Sequence, residues 1–244
     1  MQAAYDDIAW CYDSYWAGSF DAMAWGVLRR LLIPELPTGA AVLDIGCGCG
    51  HLTRRLVECG YRVVGVEPSL EMIERMRQRA PGTPVIAGDA RALPVRARFD
   101  AALFTFDGLN HLLEPGDLDR AFGGAASVLR CGAPFFFDLL IEDAYRHAWH
   151  GERAIVADNH VVIVRGAYDA SAGEGRTEFI VFTRDGGGWN RRDTHIRQRP
   201  YAPEAVAGAA ERAGFVSLQW WHAQRDLDLD DPLATGRVFG LART

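Results

Sequence analysis

The sequence predicts an α/β fold: a mostly parallel, seven-stranded sheet with flanking helices, an inserted antiparallel sheet and an N-terminal helical segment. Two observations predict it. Between about residues 40 and 140, short apolar runs alternate with helical stretches, which is the pattern of βαβ units. Strand-like runs joined by turn residues then follow one another without helices, which indicates an antiparallel meander. At 244 residues and 49% hydrophobic content, the chain is long enough to bury such a core.

The elements are predicted as follows, in chain order. Residues 1–33 are predicted to be helical and contain many aromatic side chains, and Pro34 and Pro37 end this segment. The predicted core strands are Ala41–Ile45, Arg62–Val66, Pro84–Ala87, Phe99–Phe104 and Pro134–Asp138, and the clearest helices are His51–Cys59, Ser69–Ala80 and Asp117–Arg130. The predicted meander strands are Ala154–Ala157, His160–Tyr168, Thr177–Arg184 and Asn190–Gln198. The last elements are a helix at Pro203–Ala213 and strands at Phe215–Trp221 and Arg237–Ala242.

Composition and charge exclude several classes of function. A net charge of −6 has the wrong sign for a general nucleic-acid binder, whose affinity depends on neutralising phosphates. No apolar run approaches the roughly 18 residues of a membrane span, and the N-terminus is acidic where a secretory signal is basic. Five cysteines without framework spacing predict neither a disulfide scaffold nor a zinc site. We therefore expect a cytoplasmic protein that binds neither nucleic acid nor membranes.

A glycine-rich turn is the most informative motif. The predicted strand Ala41–Ile45 leads directly into Gly46, Gly48 and Gly50, and a helix follows. Glycines at such a turn let the backbone adopt positive φ and approach a ligand closely. The spacing is G-x-G-x-G, so the dinucleotide pattern G-x-G-x-x-G is not met. Asp44, two residues before the first glycine, would repel a pyrophosphate but suits a cationic amino group.

Two further acids follow the next two predicted strands. Glu67 follows Arg62–Val66, at the place where an acid in doubly wound sheets holds ribose hydroxyls. Asp89 follows Pro84–Ala87, where it could accept a hydrogen bond from an adenine amino group. Each acid alone could be a solvated loop residue or a helix cap. Together with Asp44 they mark the carboxyl ends of three consecutive strands, which is where ligands bind in open α/β sheets.

On these motifs the chain resembles the class I S-adenosylmethionine-dependent methyltransferases over nearly its whole length. In that family LDIGCGCG (43–50) is the cofactor glycine loop, VVGVEPS (63–69) carries the ribose acid, and GDARALP (88–94) carries the adenine-binding Asp. The resemblance implies a Rossmann-like methyltransferase that uses S-adenosyl-L-methionine and releases S-adenosyl-L-homocysteine. The cofactor contacts it predicts are Tyr12, Asp44, Gly46, Cys47, Gly48, Gly50, Glu67, Pro68, Met72, Asp89, Ala90, Phe104 and Phe106.

The resemblance also implies a division of the chain. We expect a single methyltransferase domain over residues 1–244. Within it lie an N-terminal helical cap (1–37), a cofactor-binding core (38–150), the inserted antiparallel sheet (151–200) and the C-terminal end of the core (201–244). The inserted sheet is either a lid over the acceptor site or an oligomerisation surface, in which case the protein is a homodimer.

Within the family, YDDIAWCYDSYW (5–16), FDGLNHL (106–112) and the inserted sheet are similar to small-molecule methyltransferases, especially those that methylate amino groups of sugars and natural products. This similarity implies catalytic roles for Tyr12 and His111. A histidine with a pKa near 6.5 could accept a proton from an attacking ammonium or hydroxyl, and Asp107 is a second candidate base. The structural alternatives are a packing histidine and a helix-capping aspartate.

Other side chains are candidates for the sulfonium and the substrate. Aromatic faces stabilise a nearby cation, which suggests Phe104, Phe106, Tyr12 and Trp16, although Phe104 could instead pack the sheet. The predicted substrate contacts are Trp16, Asp107, Tyr168, Arg197, Arg199 and Tyr201. The alternative for the arginines of the inserted sheet is a solvated sheet face.

We predict a small-molecule acceptor and an amine nitrogen as the methylated atom. Methylation of oxygen or carbon on a small phenol, hydroxyl or carboxylate is the alternative within the same class. A non-catalytic S-adenosylmethionine-binding module is the alternative from another class. No metal is expected, because no Asn completes Asp107 and Asp138 into the set used by metal-dependent O-methyltransferases.

Overall fold

A computed structural model describes residues 4–229 and 234–244, and in it the predicted seven-stranded, mostly parallel sheet is confirmed. Its strands are β1 (Ala41–Ile45), β2 (Arg62–Glu67), β3 (Val85–Ala87), β4 (Ala101–Phe104), β5 (Pro134–Leu140), β10 (Ser217–His222) and β11 (Arg237–Arg243). They lie in the order β10-β11-β5-β4-β1-β2-β3, and β11 runs opposite to the other six strands. The chain winds outwards in opposite directions from β1 and β4. The carboxyl ends of these two adjacent strands are therefore the switch point at which open α/β sheets bind ligands.

Helices cover both faces of this sheet. They are α1 (Ala9–Tyr15), α2 (Ala17–Leu31), α3 (His51–Glu58), α4 (Leu70–Arg79), α5 (Asp117–Val128), α6 (Glu142–Ala148), α7 (Pro203–Arg212) and α8 (Ala223–Leu227). Successive side chains of a strand point to opposite faces, so Phe136 of β5 packs in the cluster containing α2 and α3. Its neighbours Phe135 and Phe137 pack in the cluster containing α5 and α7. Both faces of the sheet are thus buried.

The inserted sheet is a four-stranded antiparallel meander. Its strands, in spatial as well as chain order, are β6 (Glu152–Val156), β7 (His160–Asp169), β8 (Glu174–Asp185) and β9 (Gly188–Gln198). Its inner face contributes Val162, Phe179 and Ile196 to a core cluster that also contains Ile8 and Cys11. The inserted sheet therefore packs against the N-terminal segment (residues 4–16).

The N-terminal segment differs from the continuous helical stretch that the sequence predicts. It contains a short 3-10 helix at Asp6–Ile8 and then α1, and the chain leaves helical geometry at Trp16 before α2 begins. Residues 1–3 of the predicted stretch lie outside the described residues. Within the described ranges, no helix has both the length and the apolar character needed to cross a membrane.

Candidate active site

A cavity of about 560 Å³ opens at the carboxyl ends of β1, β2 and β4, and we call it the central cavity. The glycine loop, the end of β2, the segments after β3 and β4, the N-terminal segment and β9 form its walls. The lining residues are Ala4, Tyr5, Tyr12, Ala17, Gly46, Cys47, Gly48, Cys49, His51, Glu67, Pro68, Ser69, Met72, Gly88, Asp89, Ala90, Arg91, Phe104, Thr105, Phe106, Gly108, His111, Leu112, Leu113, His195, Ile196 and Arg197. Its volume is that of a site for one or two small molecules.

The glycine loop bends tightly around one end of the central cavity. Gly46, Gly48 and Gly50 all have positive φ, a conformation that favours glycine. The N–H groups of Gly46 and Cys47 both donate to the carbonyl of Val66, which anchors the loop to β2. Gly50 lies behind the wall, where a Cβ would sit 2.5 Å from Met76 Cγ. Gly50 thus shapes the loop, while Gly46, Cys47 and Gly48 face the central cavity.

Glu67 is the buried acid of the central cavity. Its Oε2 accepts the Gly48 N–H at 2.9 Å, and its Oε1 accepts the Ser69 N–H at 3.0 Å. Burial raises the pKa of Glu67 to about 7, with a further contribution from Asp44 and Asp6. Each carboxylate oxygen can accept more than one hydrogen bond, so Glu67 still has acceptor capacity for ligand hydroxyls.

Asp44 does not line the central cavity, in contrast to the prediction from the sequence. It is buried beneath the glycine loop, and its Oδ2 accepts the hydroxyl of Thr53 in α3 at 2.5 Å. Burial raises its pKa to about 6, and it is not part of the cavity wall. The reason is strand alternation: the side chain of Asp44 points to the sheet face that α3 covers. In place of the predicted direct contact with a ligand amino group, Asp44 supports the glycine loop from beneath.

Asp89 and Ala90 do line the central cavity, on the far side of Glu67. The carboxylate of Asp89 is engaged by Arg91 through two guanidinium contacts at 2.8 and 2.5 Å and through the main-chain N–H at 2.8 Å. The hydrogen bonds from Arg91 hold the pKa of Asp89 below its usual range. An adenine amino group would thus have to share this carboxylate with Arg91.

Apolar and sulfur-containing side chains complete the cofactor end of the wall. Pro68 and Met72 line the central cavity beside Glu67, and Met72 Sδ accepts the Cys49 thiol at 3.0 Å. Phe104 packs closely behind Gly46 and Gly108, where a Cβ on either glycine would meet its ring. Phe106 lies on the wall with an unusual positive φ of 60°.

The N-terminal segment and the loop after β4 bring three aromatic residues together on the wall of the central cavity. The hydroxyl of Tyr5 lies 3.3 Å from Nε2 of His111, and the Tyr5 ring packs edge-on against Tyr12 at 5.5 Å. Burial lowers the pKa of His111 to about 4, so the imidazole is neutral at pH 7. Burial raises the pKa of both Tyr5 and Tyr12, so both are neutral phenols. The pKa of His111 therefore differs from the value near 6.5 that the sequence led us to expect.

Tyr12 is predicted from the sequence as a site residue, but Tyr5 is not. Both residues belong to Tyr-Asp pairs in the N-terminal segment, Tyr5-Asp6 and Tyr12-Asp13, and the repeated pair was the available signal. Only the fold shows that Tyr5 contacts His111, and that Tyr5 and Tyr12 both pack against the cluster that contains Cys49 and Met72.

Asp107 is not a free base. Its Oδ1 pairs with Arg237 at 3.2 Å, its Oδ2 accepts the amide of Gln198 at 2.5 Å, and its main-chain N–H donates to Asp138 at 3.1 Å. Arg237 and Asp138 form a buried ion pair next to it, and burial raises the pKa of Asp138 to about 6. Asp107 is absent from the cavity wall. Its predicted role as a base or substrate contact is therefore corrected, because its carboxylate is already engaged by two donors.

The predicted substrate contacts separate into two groups. Arg197 of β9 lines the central cavity, and it is ion-paired with Glu174. Trp16, Tyr168, Arg199 and Tyr201 lie outside the wall, each in contact with other groups. Trp16 packs edge-on against Phe179, and the Tyr168 hydroxyl donates to Glu142. Arg199 and Tyr201 donate to the carbonyls of Leu113 and Leu112, so they support the segment that follows His111.

Two further observations delimit the site. A wider, open cleft of about 930 Å³ also borders Pro68, but its two arginines are already paired, Arg192 with Asp7 and Arg191 with Asp193. It contains none of the glycine loop. Over residues 4–229 and 234–244, no three His, Cys, Asp or Glu side chains form a group with metal-ligand geometry.

Comparisons with known proteins agree with this geometry. Residues 42–132 match the methyltransferase domain family. A putative methyltransferase of Geobacillus sp. (strain WCH70) is 26% identical over 247 residues, covering 98% of this chain and 99% of that protein. The dTDP-3-amino-3,6-dideoxy-alpha-D-glucopyranose N,N-dimethyltransferase of Streptomyces fradiae is 34% identical over 106 residues, which is 43% of this chain and 39% of that protein.

Among solved structures, the sugar N-methyltransferase KedS8 from Streptoalloteichus sp. ATCC 53650 superposes with a TM-score of 0.77. It is 21% identical, and the superposition covers 96% of this chain and 93% of that one. This match extends the shared fold beyond the matched domain to the inserted sheet and the N-terminal segment. Residues 42–132 are thus a methyltransferase domain, and the chain is an S-adenosylmethionine-dependent methyltransferase.

Proposed function

We propose that this methyltransferase transfers a methyl group to an amine nitrogen of a small metabolite or natural-product intermediate. The observation that carries the proposal is the Tyr5–His111 pair, a phenol in contact with a neutral imidazole on the wall of the central cavity. The Streptomyces fradiae relative is named as an amino-sugar N,N-dimethyltransferase, and KedS8 as a sugar N-methyltransferase, which supports the same class of acceptor.

The residues of the cofactor end fit S-adenosylmethionine. Glu67 presents acceptor capacity for the two ribose hydroxyls, and the positive φ values of Gly46 and Gly48 leave backbone free of side chains beside the ligand. Ala90 and Asp89 would lie by the adenine. When bound, S-adenosylmethionine supplies an electrophilic methyl group on a sulfonium. All remaining requirements, which are orientation and the exclusion of water, fall to the protein.

The pKa of His111 limits its role. Moving a proton from an alkylammonium of pKa about 10 to an imidazole of pKa about 4 costs about 8 kcal/mol, at 1.36 kcal/mol per pKa unit. We therefore propose that the acceptor binds as the free amine, and that His111 and Tyr5 orient it rather than deprotonate it. Tyr5 donates its proton to His111 and accepts the amine N–H, which leaves the nitrogen lone pair for the methyl carbon. Alignment of this kind contributes roughly 7–11 kcal/mol in well-oriented reactions.

The inserted sheet fits the role of a lid over the acceptor. His195, Ile196 and Arg197 of β9 line the central cavity, so a molecule bound beside His111 would contact this strand. We propose accordingly that residues 151–200 cover the acceptor site within one domain, and that an interface between copies of the chain is the alternative.

The test is a panel of amine, phenol, hydroxyl and carboxylate acceptors with isotope-labelled methyl donor, assayed with the wild type, His111→Ala and Tyr5→Phe. We expect amines to be methylated, with a rate that rises with pH as the acceptor loses its proton. Tyr5→Phe should slow turnover about tenfold, because it removes one hydrogen bond to the amine. The midpoint of the pH profile should follow the acceptor and stay the same in His111→Ala.

Tyr15→Phe is the matched control, since Tyr15 lies outside the cavity wall and contacts His160. It should leave turnover unchanged. Methylation of hydroxyl, phenol or carboxylate acceptors alone would replace the amine proposal with O-methylation. Binding of the methyl donor without turnover of any acceptor would point to a non-catalytic module.

A further inference from the structure

Gln198, the last residue of β9, brings a buried polar side chain from the inserted sheet to the reaction end of the central cavity. It is 4% exposed. Its amide nitrogen lies 2.5 Å from Oδ2 of Asp107 and 3.1 Å from Nε2 of His111. The inserted sheet is thus connected, through a single side chain, to the imidazole that we assign to acceptor binding.

The chemistry of these three groups fixes the position of each proton. A carboxylate only accepts hydrogen bonds, so the atom of Gln198 beside Asp107 is the amide nitrogen, which only donates. The second hydrogen of the same nitrogen is directed to His111. Nε2 of His111 must therefore be the acceptor, and in a neutral imidazole the proton then resides on Nδ1.

Asp107 holds the amide from a rigid position. Its second oxygen pairs with Arg237, whose side chain is 0% exposed, and its main-chain N–H donates to Asp138. Both Asp107 and the preceding Phe106 have positive φ, at 50° and 60°. Non-glycine residues keep such conformations only where the surrounding structure enforces them. The carboxylate of Asp107 thus cannot turn away from Gln198 without giving up its pair with Arg237.

We propose that Gln198 is a positioning residue that determines in which direction the Tyr5 hydroxyl points its proton. By donating to Nε2, Gln198 holds His111 in the Nδ1–H tautomer, so Nε2 has no proton to donate to Tyr5. The Tyr5 hydroxyl then shares the Nε2 lone pair with the Gln198 N–H in a bifurcated hydrogen bond, and turns its oxygen lone pairs toward the acceptor. This inference rests on the proposed function for the identity of the acceptor. The tautomer itself does not depend on it.

The opposite tautomer would reverse the direction of the hydrogen bond between His111 and Tyr5. With the proton on Nε2, His111 would donate to the Tyr5 oxygen, and the phenol proton would turn into the central cavity. This phenol proton would then form a hydrogen bond with the lone pair of the amine, which is the electron pair needed for attack on the methyl group. The groups that face His111 are Tyr5 from the N-terminal segment, Gln198 from β9 and, behind the amide, Asp107.

The first measurement uses the intact protein without ligands. Protein labelled with ¹⁵N-histidine is examined by NMR, and the signals of His111 among the seven histidines are assigned with His111→Asn. In the wild type we expect a single tautomer with Nδ1 protonated. Gln198→Leu removes the donor and should give a mixture of tautomers. Gln198→Glu replaces the donor with an acceptor and should move the proton to Nε2.

The second measurement is methyl transfer under single-turnover conditions. We expect the rate to fall roughly tenfold in Gln198→Leu and further, up to about 100-fold, in Gln198→Glu, with the dissociation constant for S-adenosylmethionine changed less than about twofold. The range follows from the roughly 100-fold cost of a misplaced reacting group. A role in packing alone predicts the reverse order, because glutamate matches the shape of glutamine and leucine does not.

Thr194→Val is the matched control, since Thr194 is a buried polar residue of the same strand that contacts Asp7 rather than His111. It should change neither the tautomer nor the rate. An unchanged His111 tautomer in both Gln198 variants would overturn the inference, and so would an equal effect of Thr194→Val. If no amine is methylated, the proposed function fails, while the NMR result still decides the role of Gln198.

Discussion

Glu67 makes cofactor binding sensitive to pH near neutrality. Hydroxyl groups of a ribose donate to the ionised carboxylate, so the bound state favours the charged form, whereas burial among Asp44 and Asp6 raises the pKa of Glu67 to about 7 in the free protein. The cost of deprotonation is absent well above pH 7 and grows as the pH falls below 7. Affinity should therefore be highest in mildly alkaline solution and decrease on acidification.

The predicted change can be stated numerically. With a free pKa of about 7 and a much lower bound pKa, the dissociation constant for S-adenosylmethionine should rise roughly tenfold between pH 8 and pH 6. Isothermal titration calorimetry in buffers of different ionisation enthalpy measures both the affinity and the proton release. Glu67→Gln cannot titrate, so it should bind more weakly and show only the pH dependence of the ligand. A wild-type profile identical to that of Glu67→Gln would contradict this assignment.

At the scale of single residues, the sequence predicted site residues that lie at the end of a strand or just after it. It did not predict contacts between distant segments of the chain. Glu67 is the last residue of β2 and Gly48 lies in the turn that follows β1, so the end of each strand positions them. Tyr5 and His111 meet only because the N-terminal segment crosses the central cavity. Asp44 was misplaced because its orientation depends on strand alternation beneath a loop, which the motif does not encode.

At the scale of elements, a charged cluster fixes the N-terminal segment over the central cavity. Asp13 of α1 contacts His51 of α3 at 2.7 Å, and Arg79 and Arg75 of α4 at 2.8 and 3.4 Å. Burial opposes its ionisation, but hydrogen bonds from Arg79 and His51 hold the pKa of Asp13 below its usual range. Tyr5 and Tyr12 belong to the same segment, so this cluster secures the wall that a ligand must pass.

Asp13→Asn should loosen this segment. We expect release of S-adenosylmethionine to accelerate about tenfold, which corresponds to the loss of roughly 1.4 kcal/mol of charge-assisted hydrogen bonding in a partly buried cluster. Stopped-flow displacement measures the rate. Asp119→Asn, which breaks an exposed pair with Arg212, is the control and should leave release unchanged. Equal release rates in wild type and Asp13→Asn would show that the segment does not gate the site.

Long, strongly patterned elements were predicted well and short ones were not. Helices α3, α4 and α5 begin within one residue of their predicted starts, because Ser69, which caps α4, and the glycines before α3 and α5 mark those positions. Helices α6 and α8 have seven and five residues and were missed, since so short a stretch shows no clear helical period. Neither Trp16 nor the residue on either side of it is Gly or Pro, so the sequence does not indicate the helix break at this position.

At the scale of the whole molecule, the inserted sheet and the core behave as coupled parts. Ile8 and Cys11 of the N-terminal segment are buried with Val162 and Phe179 of the inserted sheet, while Ala9 of the same segment is buried with residues of the glycine-loop side. Deleting residues 151–200 would expose the first of these clusters, so deletion does not test the lid separately. Alternation of strands and helices predicted the two sheets, but their connection through the N-terminal segment depends on tertiary contacts.

If this coupling holds, the free energy of ligand binding should stabilise both sheets together. S-adenosylmethionine at about 100 times its dissociation constant adds about 2.7 kcal/mol to the free energy of unfolding, which raises Tm by roughly 5–11 °C for a chain of this size. Circular dichroism should show one transition, and hydrogen exchange should show protection of β9 as well as of the glycine loop. NAD serves as the control and should leave Tm unchanged, since the glycine spacing is G-x-G-x-G. Two transitions, of which the ligand shifts only one, would mean that the inserted sheet folds independently of the site. The contact between Gln198 and His111 would then have to form in a separate step.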